Sequence, residues 1–291
     1  MTLVIEHVAG RASVQDLGRP GLASAGVPTG GAADALMMRL VNRAVGNSED
    51  AAGIELVAGS MSLRAGSNCT VCVSAGERAF EAFEVASGQT LHVAPDVGLC
   101  RAYLAVAGGI DVPVVLGSRS TLASAGFGGL HGALLRRGDT IPVGAPAKRP
   151  RAVSRALCAM ALFAARRRVL RVVTEGAEAP LPAGLLRVSP ASDRVGVRLE
   201  RHGSAPTPEP LEHSRGVLYG TIQMPSANEL VILGPDGPTT GGYPTVGTVI
   251  AADLPAVGQL VPGQWLRLDA ISREEAVDLL TSRESSLAGR L

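Results

Sequence analysis

Lysine is almost absent from this chain, and its scarcity limits the nucleotide chemistry that the chain can perform. Lys148 is the single lysine among 27 basic residues in a sequence of 291. A P-loop requires a lysine within Gly-x-x-x-x-Gly-Lys-Ser/Thr, and the sequence contains no such pattern. Lys148 stands beside arginine and proline, a poor position for a Schiff-base amine or for biotin attachment. We therefore expect another chain to bind any ATP or biotin that the reaction uses.

Long apolar runs and aromatic residues are also scarce. Aromatics make up 3% of the sequence, so the core must be built from aliphatic side chains. The longest uncharged apolar run, residues 156–165, has half of the ~20 residues that a membrane span needs. Glu6 and His7 lie where a signal peptide would be basic and then apolar, and the net charge of +1 does not suggest a polyanionic partner. These features predict a cytoplasmic protein that binds neither nucleic acid nor membrane.

The sequence also lacks the spacing of common metal and hydrolase sites. Cys69 and Cys72 have C-x-x-C spacing, but they lie in a strand-like run, where side chains three apart point to opposite faces. The five histidines show neither H-x-x-x-H nor H-E-x-x-H spacing, and no Gly-x-Ser-x-Gly elbow occurs. We predict no metal site and no α/β-hydrolase fold.

Glycine and proline are abundant, with 36 and 19 residues, and they separate many short runs of alternating apolar residues. This pattern predicts a mainly β fold with a few short helices. One helix is predicted over residues 35–45, and another begins at a capping box formed by Ser272 and Glu275 and runs to about residue 280. An arginine-rich stretch with two prolines, residues 146–168, predicts a linker between β units at 1–145 and 169–291.

A weak internal repeat supports two related units. Leu135-x-x-Gly138-Asp-x-Ile141 matches Leu260-x-x-Gly263-Gln-x-Leu266 in spacing and residue type. Chance similarity in a glycine-rich chain is the alternative.

Glu55 is a separate feature, a charge inside an apolar strand. We expect it to face solvent, the alternative being a cleft that raises its pKa.

Three segments are too polar and too rich in glycine to form plain core. They are Ser13–Gly21 with the following Gly26–Asp34, Ser189–Leu199, and Asp236–Pro244. An aspartate beside an arginine can orient its guanidinium toward a carboxylate or phosphate, and Thr-Thr-Gly-Gly offers hydroxyls and unhindered N–H groups to an oxyanion. The alternative is ordinary turn chemistry, because Asp, Gly, Ser and Thr also dominate loops.

Many short motifs, in this order, resemble one protein family over nearly the whole chain. They are Val14-Gln-Asp-Leu-Gly-Arg-Pro-Gly21, Gly26-Val-Pro28, Asp34, Arg39-Leu-Val-Asn42, Val45-Gly-Asn47, Glu55, Ala105–Pro113, Leu116-Gly-Ser-Arg-Ser-Thr121, Gly126-Phe-Gly-Gly129, Ser192-Asp-Arg194, Gly220–Pro225 and Thr239-Thr-Gly-Gly-Tyr-Pro244. The family is variously called allophanate hydrolase subunit 2, the C-subunit of 5-oxoprolinase and the biotin-dependent carboxyltransferase subunit.

The resemblance implies a fold of two cyclophilin-like β-barrel units and a hetero-oligomeric enzyme. The implied partners are subunit 1, also called the B-subunit, and in oxoprolinases a third, lactam-opening subunit. The implied reaction is ATP-dependent hydrolysis of a small amide or lactam, such as opening 5-oxoproline to glutamate. Two alternatives remain open: a carboxyltransferase component that uses carboxybiotin, and a non-catalytic module that antagonises a partner.

The resemblance also supplies the candidate site residues. The catalytic candidates are Asp193, Arg194, Thr240 and Tyr243. The candidates for substrate binding are Gln15, Asp16, Arg19, Asp34, Ser192, Gln223, Thr239, Gly241 and Gly242. In this hypothesis Arg194 or Arg19 holds a substrate carboxylate, Thr240, Tyr243 and backbone N–H groups stabilise an oxyanion, and Asp193 orients an arginine.

The chain departs from the family pattern at several positions. Members of the resembling family have a Gly-Pro-Gln segment and a phenylalanine before the Ser-Asp-Arg motif. This chain has residues 174–180 in their place, and the segment is shorter. Arg215 stands in Ser-Arg-Gly where the family has Ser-Glu-Gly, and Val195 replaces methionine after Asp-Arg. These departures bear on the identity of the substrate.

Overall fold

The chain folds into two compact units, seen in a computed structural model that describes residues 1–201, 209 and 211–289. The first unit comprises residues 1–19 and 30–161, and the second comprises residues 20–29 and 162–291. The predicted mainly β fold with few helices is confirmed. The predicted boundaries of the linker at residues 146 and 168 stay predictions.

The first unit is a seven-stranded sheet with one helix. Its strands run in the order β4-β3-β6-β2-β1-β7, and β5 pairs with the second half of β2. The elements are β1 Thr2–Gln15, α1 Ala35–Ala44, β2 Gly53–Ala65, β3 Cys69–Val73, β4 Ala82–Val85, β5 Thr90–Val93, β6 Arg101–Val106 and β7 Thr140–Pro142. The core between them is aliphatic, as the shortage of aromatic residues required.

The second unit is a closed barrel. Its strands follow the order β10-β13-β12-β15-β8-β16-β9, and β9 pairs with β10 to close the ring. The remaining elements, in chain order, are α2 Arg155–Ala165, β8 Val169–Val173, β9 Leu186–Val188, β10 Gly196–Arg201, β11 Arg215–Gly216, β12 Thr221–Ser226, β13 Glu229–Leu233, β14 Thr240–Gly241, β15 Thr245–Val249, α3 Leu254–Gly258, β16 Trp265–Ala270 and α4 Arg273–Leu287.

The helix predictions hold where a cap marks the start. Asp34 caps α1 by accepting a hydrogen bond from the Met37 N–H at 3.0 Å. The predicted capping box of Ser272 and Glu275 is present at α4, although that helix runs to Leu287, beyond the predicted end. Among the described residues, no helix combines the length and the apolar character that a membrane crossing requires.

The repeated glycine pattern has the same local structure in both units. Gly138 has a φ of 92° and Gly263 a φ of 87°, so both adopt the left-handed conformation that favours glycine. Each glycine lies two residues before a strand, β7 in the first unit and β16 in the second. The matched spacing therefore marks an equivalent turn-to-strand element.

The two apolar runs at residues 54–57 and 61–63 belong to one long strand, β2. It pairs with β1 from Leu3 opposite Ala65 to Gln15 opposite Gly53, with a register shift between Ala9 and Arg11. At that shift Gly59 has a φ of 64°, and a Cβ there would overlap the carbonyl oxygen of Ala9. The irregularity lets one long strand bend while its ladder continues.

A buried polar network connects β2, β6 and the loop before α1. The Tyr103 hydroxyl donates to Glu55 Oε2 at 2.9 Å and accepts from the Asp34 N–H at 2.8 Å. The Ala33 N–H donates to Glu55 Oε2 at 2.8 Å, and Arg101 Nε lies 3.5 Å from Glu55 Oε1. Burial, followed by the charge of Glu55, raises the pKa of Tyr103, so it remains a protonated donor.

The expectation that Glu55 faces solvent is wrong, since its side chain is completely buried. The charge is tolerated inside the unit because Arg101, Tyr103 and a backbone N–H surround the carboxylate. The network fixes the loop that leads into α1.

We predict that Gly59→Ala destabilises the first unit more than Gly98→Ala does. Both glycines have positive φ, so both substitutions strain the backbone by about 1–2 kcal/mol. Only Gly59 faces a backbone oxygen, whereas the space around Gly98 is open for 4 Å. Urea unfolding followed by circular dichroism should show at least ~2 kcal/mol between the variants. Equal losses would contradict the close approach of β1 and β2.

We also predict that Glu55→Ala lowers the free energy of unfolding by about 3–5 kcal/mol, because it leaves the Arg101 charge buried. Glu84→Ala is the control, since Glu84 is an exposed carboxylate on β4 of the same sheet, and it should change stability by less than ~1 kcal/mol. The same urea titrations check both variants, and a Glu55→Ala protein as stable as Glu84→Ala would refute the network.

Candidate functional site

The candidate residues fall into two groups, one in each unit. Four of them, Gln15, Asp16, Arg19 and Asp34, belong to the first unit. The other nine belong to the second unit: Ser192, Asp193, Arg194, Gln223, Thr239, Thr240, Gly241, Gly242 and Tyr243.

In the first unit, the end of β1 is fastened to the segment 118–121. The Gln15 side-chain amide donates to Ser13 Oγ at 2.9 Å and to the Thr121 carbonyl at 3.2 Å. Gln15 is fully buried. Its position beside Thr121 explains how two motifs more than 100 residues apart in sequence form one local structure.

Asp16 organises the same segment through both carboxylate oxygens. It accepts hydrogen bonds from Ser118 Oγ at 2.6 Å, the Arg119 N–H at 2.6 Å, the Gly18 N–H at 2.7 Å and Ser120 Oγ. The carboxylate is therefore well supplied with donors from the chain itself, as turn chemistry predicts. Its role in substrate binding stays a prediction.

Arg19 lies inside the first unit, with 2% of its surface exposed. Its guanidinium donates to the Ser120 carbonyl at 2.6 Å and lies over the ring of Phe127, 5.0 Å from the centroid. Gly30 and Gly128 leave room for it, because a Cβ at either position would come within 3.0–3.2 Å of its terminal nitrogens. The matched motif Gly126–Gly129 thus has a physical reason, which is to enclose this cation.

Asp34 makes its hydrogen bonds at the start of α1. Its carboxylate caps α1, and its own N–H donates to the Tyr103 hydroxyl. The structure therefore assigns Asp34 to the positioning of α1.

In the second unit, Ser192, Asp193 and Arg194 lie in the turn between β9 and β10. Ser192 Oγ donates to the Ser189 carbonyl at 2.8 Å and accepts from the Arg198 N–H at 3.0 Å. Asp193 Oδ1 accepts from the N–H groups of Val195 and Gly196, at 2.8 and 3.1 Å. Both side chains shape the turn, and their proposed chemical roles stay predictions.

Asp236 forms an ion pair with Arg194. Its two oxygens accept from Arg194 Nε at 2.7 Å and from Nη2 at 2.8 Å, a bidentate pair with both side chains about nine-tenths buried. The pair joins the second polar segment to the third. Asp236 was not among the predicted site residues. It lies in the third polar segment, and the guanidinium of Arg194 needs a carboxylate partner, so the sequence could have indicated this pair.

The third segment combines exposed donors with one buried amide. Thr240 and Tyr243 are exposed, and 47% of the Tyr243 surface is accessible. Gln223 is 5% exposed, and its Nε2 has no hydrogen-bond partner among the described residues. Gly241 lies directly against this amide, because a Cβ at Gly241 would overlap Nε2. The structure thus brings together Gln223, Thr240 and Gly241 in one unit.

Cys69 and Cys72 are buried core residues, and Cys100 and Cys158 are partly buried. None of the four forms a disulfide, and burial raises the pKa of Cys72 to about 12. Such a thiol is a poor nucleophile and metal ligand. Among the residues that the structure describes, no group of three or more His, Cys, Asp or Glu side chains could hold a metal ion.

Three comparisons place this geometry among known proteins. The chain is 33% identical to the C-subunit of 5-oxoprolinase from Escherichia coli over 285 residues, which is 91% of this chain and 90% of that protein. It is 30% identical to urea amidolyase of Lachancea kluyveri over 94% of this chain and 17% of that protein. The crystal structure of Kluyveromyces lactis urea carboxylase superposes with a TM-score of 0.86 and 28% identity, over 100% of this chain and 29% of that one.

The family assignment follows from a match of residues 25–270 to the model described as carboxyltransferase domain, subdomain A and B. This range contains the candidate residues except Gln15, Asp16 and Arg19. The resemblance inferred from the motifs is therefore confirmed, and the chain belongs to the carboxyltransferase domain, subdomain A and B, family.

Proposed function

We propose that this chain is a subunit of an ATP-dependent amidohydrolase that opens a small lactam, with 5-oxoproline as the substrate. The observation that carries the proposal is the match to the C-subunit of 5-oxoprolinase, which extends over 91% of this chain and 90% of that protein. A match of similar extent in both proteins supports an equivalent role with equivalent partners. Those partners are a B-subunit and a third, lactam-opening subunit.

The residues of this chain do not fit a P-loop type of nucleotide site. Its single lysine, Lys148, lies in an exposed proline-flanked stretch instead of a glycine-rich phosphate loop. ATP, when bound by the complex, supplies the energy for opening an unstrained lactam. We therefore assign its binding to a partner subunit.

The third segment supports a role in carbonyl activation. When water adds to the lactam carbonyl, the oxygen becomes an oxyanion that needs donors already in place. Thr240 and Tyr243 present a hydroxyl and a phenol to solvent, and Gly241 and Gly242 keep the backbone between them unhindered. We propose that these groups bind the carbonyl oxygen while water adds to the carbonyl carbon, the C–N bond breaks and a proton of that water passes to the ring nitrogen, which gives glutamate.

Arg194 stabilises the loop that carries the third segment. Its bidentate pair with Asp236 anchors the start of the loop that carries Thr240. A buried pair of this kind holds a loop in one geometry at the cost of desolvating two charges. Arg194 is accordingly proposed as a positioning residue.

Carboxyl transfer is the second candidate function. It is favoured by the superposition on urea carboxylase, which covers 100% of this chain. In that case carboxybiotin would be carried by a partner, and the same donors would bind a carboxylate or urea oxygen. The two functions differ in whether glutamate is released from 5-oxoproline without biotin.

We predict that Thr240→Ala and Tyr243→Phe each lower kcat of the assembled complex by about 100-fold, as expected when one oxyanion donor is lost. Thr281→Ala and Tyr219→Phe are matched controls in the same unit, with Thr281 exposed on α4 and Tyr219 packed at the core. The assay is ATP-dependent release of glutamate from 5-oxoproline by the co-purified subunits.

Three results would count against this proposal. Glutamate release unchanged in both variants would remove the oxyanion role. Turnover that appears only with carboxybiotin would favour the transferase. Absence of turnover with 5-oxoproline, urea and allophanate, with partner binding intact, would favour a regulatory module.

A further inference from the structure

Arg215 is an exposed cation at the edge of the third segment. In the short ladder of β11 and β14 it lies directly opposite Gly241. Its side chain is 42% exposed. A guanidinium at this point faces solvent next to the Thr-Thr-Gly-Gly-Tyr motif.

The guanidinium of Arg215 is held in place by its neighbours. Arg215 pairs with Glu178, and its Nη2 donates to Thr245 Oγ1 at 2.8 Å and to the Gly176 carbonyl at 3.3 Å. Glu178 Oε2 in turn accepts from the Thr245 N–H at 2.8 Å and from Thr245 Oγ1 at 2.7 Å. A guanidinium fixed in this way loses little further freedom when it binds a ligand.

The ion pair joins two segments that are separate in the sequence. Glu178 lies in the segment 174–180, and Arg215 lies in Ser214-Arg215-Gly216. Their ion pair brings these two segments together beside the third segment. The Nε–H group of Arg215 takes no part in these contacts, because they use Nη1 and Nη2.

Gln223 is an independent observation at the same place. It lies opposite Thr245 in the ladder of β12 and β15, and its Nε2 packs on Gly241. This amide is nineteen-twentieths buried, and Nε2 lacks a hydrogen-bond partner within the described part of the chain. A buried N–H₂ group without an acceptor is costly unless a ligand supplies one.

The nearby donors therefore select a group that only accepts hydrogen bonds. Gln223 offers an amide N–H₂, Arg215 a guanidinium, and the negative charge of Glu178 is already paired. A carboxylate has two acceptor oxygens and no donor, so it can accept from the Gln223 amide and from the Nε–H group of Arg215. The arginines first considered for this role are less accessible, since Arg19 is 2% exposed and the Arg194 side chain is 11% exposed in its pair with Asp236.

We propose that Arg215 and Gln223 bind the carboxylate of the lactam substrate, with Glu178 and Thr245 as positioning residues. This inference rests on the proposed function and deepens it, because it assigns the substrate class to small lactams that carry a carboxylate. Arg215 then places the ring so that its carbonyl meets Thr240 and Tyr243.

The test compares two ligands on the co-purified complex by titration calorimetry. The probes are 5-oxoproline and 2-pyrrolidinone, which has the same lactam ring without the carboxylate. Arg215→Gln should weaken binding of 5-oxoproline by about 10- to 100-fold, the worth of a charge-assisted hydrogen bond, and leave 2-pyrrolidinone unchanged. Arg198→Gln is the matched control, because Arg198 pairs with Glu229 on the same unit at 46% side-chain exposure.

Gln223→Met is a second variant that keeps the side-chain volume and removes the buried donors; it should weaken 5-oxoproline by about tenfold. Melting temperatures establish that each variant is folded. The proposal is overturned if Arg215→Gln binds 5-oxoproline like the wild type, if it loses both ligands equally, if Arg198→Gln behaves the same way, or if the wild type does not prefer 5-oxoproline. A carboxylate preference lost in Arg215→Gln, in a complex that releases no glutamate, would support this inference and reject the proposed function.

Discussion

Pairing of guanidinium and carboxylate groups inside a low-dielectric interior is the constraint on which this structure depends. Arg194 with Asp236, and Arg171 with Asp253, each join segments that are far apart in sequence. Asp253 is 1% exposed, and its hydrogen bonds raise the pKa of Arg171. Such pairs are tolerated only when the geometry satisfies both ions, which the planar fork of arginine does and the point charge of lysine does not. A chain with one lysine is consistent with this use of cations.

The fold was largely predictable because local patterns determine it. Alternating aliphatic runs predicted most strands of both units, and the capping box predicted the start of α4. The failures are instructive. The bend in β2 was missed, since Gly59 looks like a turn residue and instead allows the close approach of two strands. Glu55 was misplaced because its partner Arg101 lies on a different strand, and periodicity does not reveal charge pairing across a sheet.

The sequence predicted which motifs contain the candidate site residues, but it did not predict the contacts that these residues make. Resemblance marked Gln15, Asp16 and Arg194, but their partners lie 106, 102 and 42 residues away in sequence. Sequence alone also proposed Arg194 or Arg19 as the group that holds a substrate carboxylate. The structure distinguishes the arginines by burial: Arg19 lies inside the first unit, stacked on Phe127, whereas Arg215 reaches solvent. Burial of a particular guanidinium depends on long-range packing, such as the room left by Gly128, which no local pattern encodes.

The relatives share one fold and carry different substrate names, and the chemistry of the second unit suggests why. Lactam hydrolysis and carboxyl transfer both develop negative charge on the oxygen of a reacting carbonyl group, so both need fixed donors near that oxygen. In the proposed function, the exposed hydroxyls of Thr240 and Tyr243 beside unhindered glycines supply those donors without selecting a substrate. Selection of one substrate then requires further groups, beside these donors, that recognise the rest of the substrate molecule. Arg215, held by its ion pair with Glu178 and lying opposite Gly241, is the group that we propose for this selection.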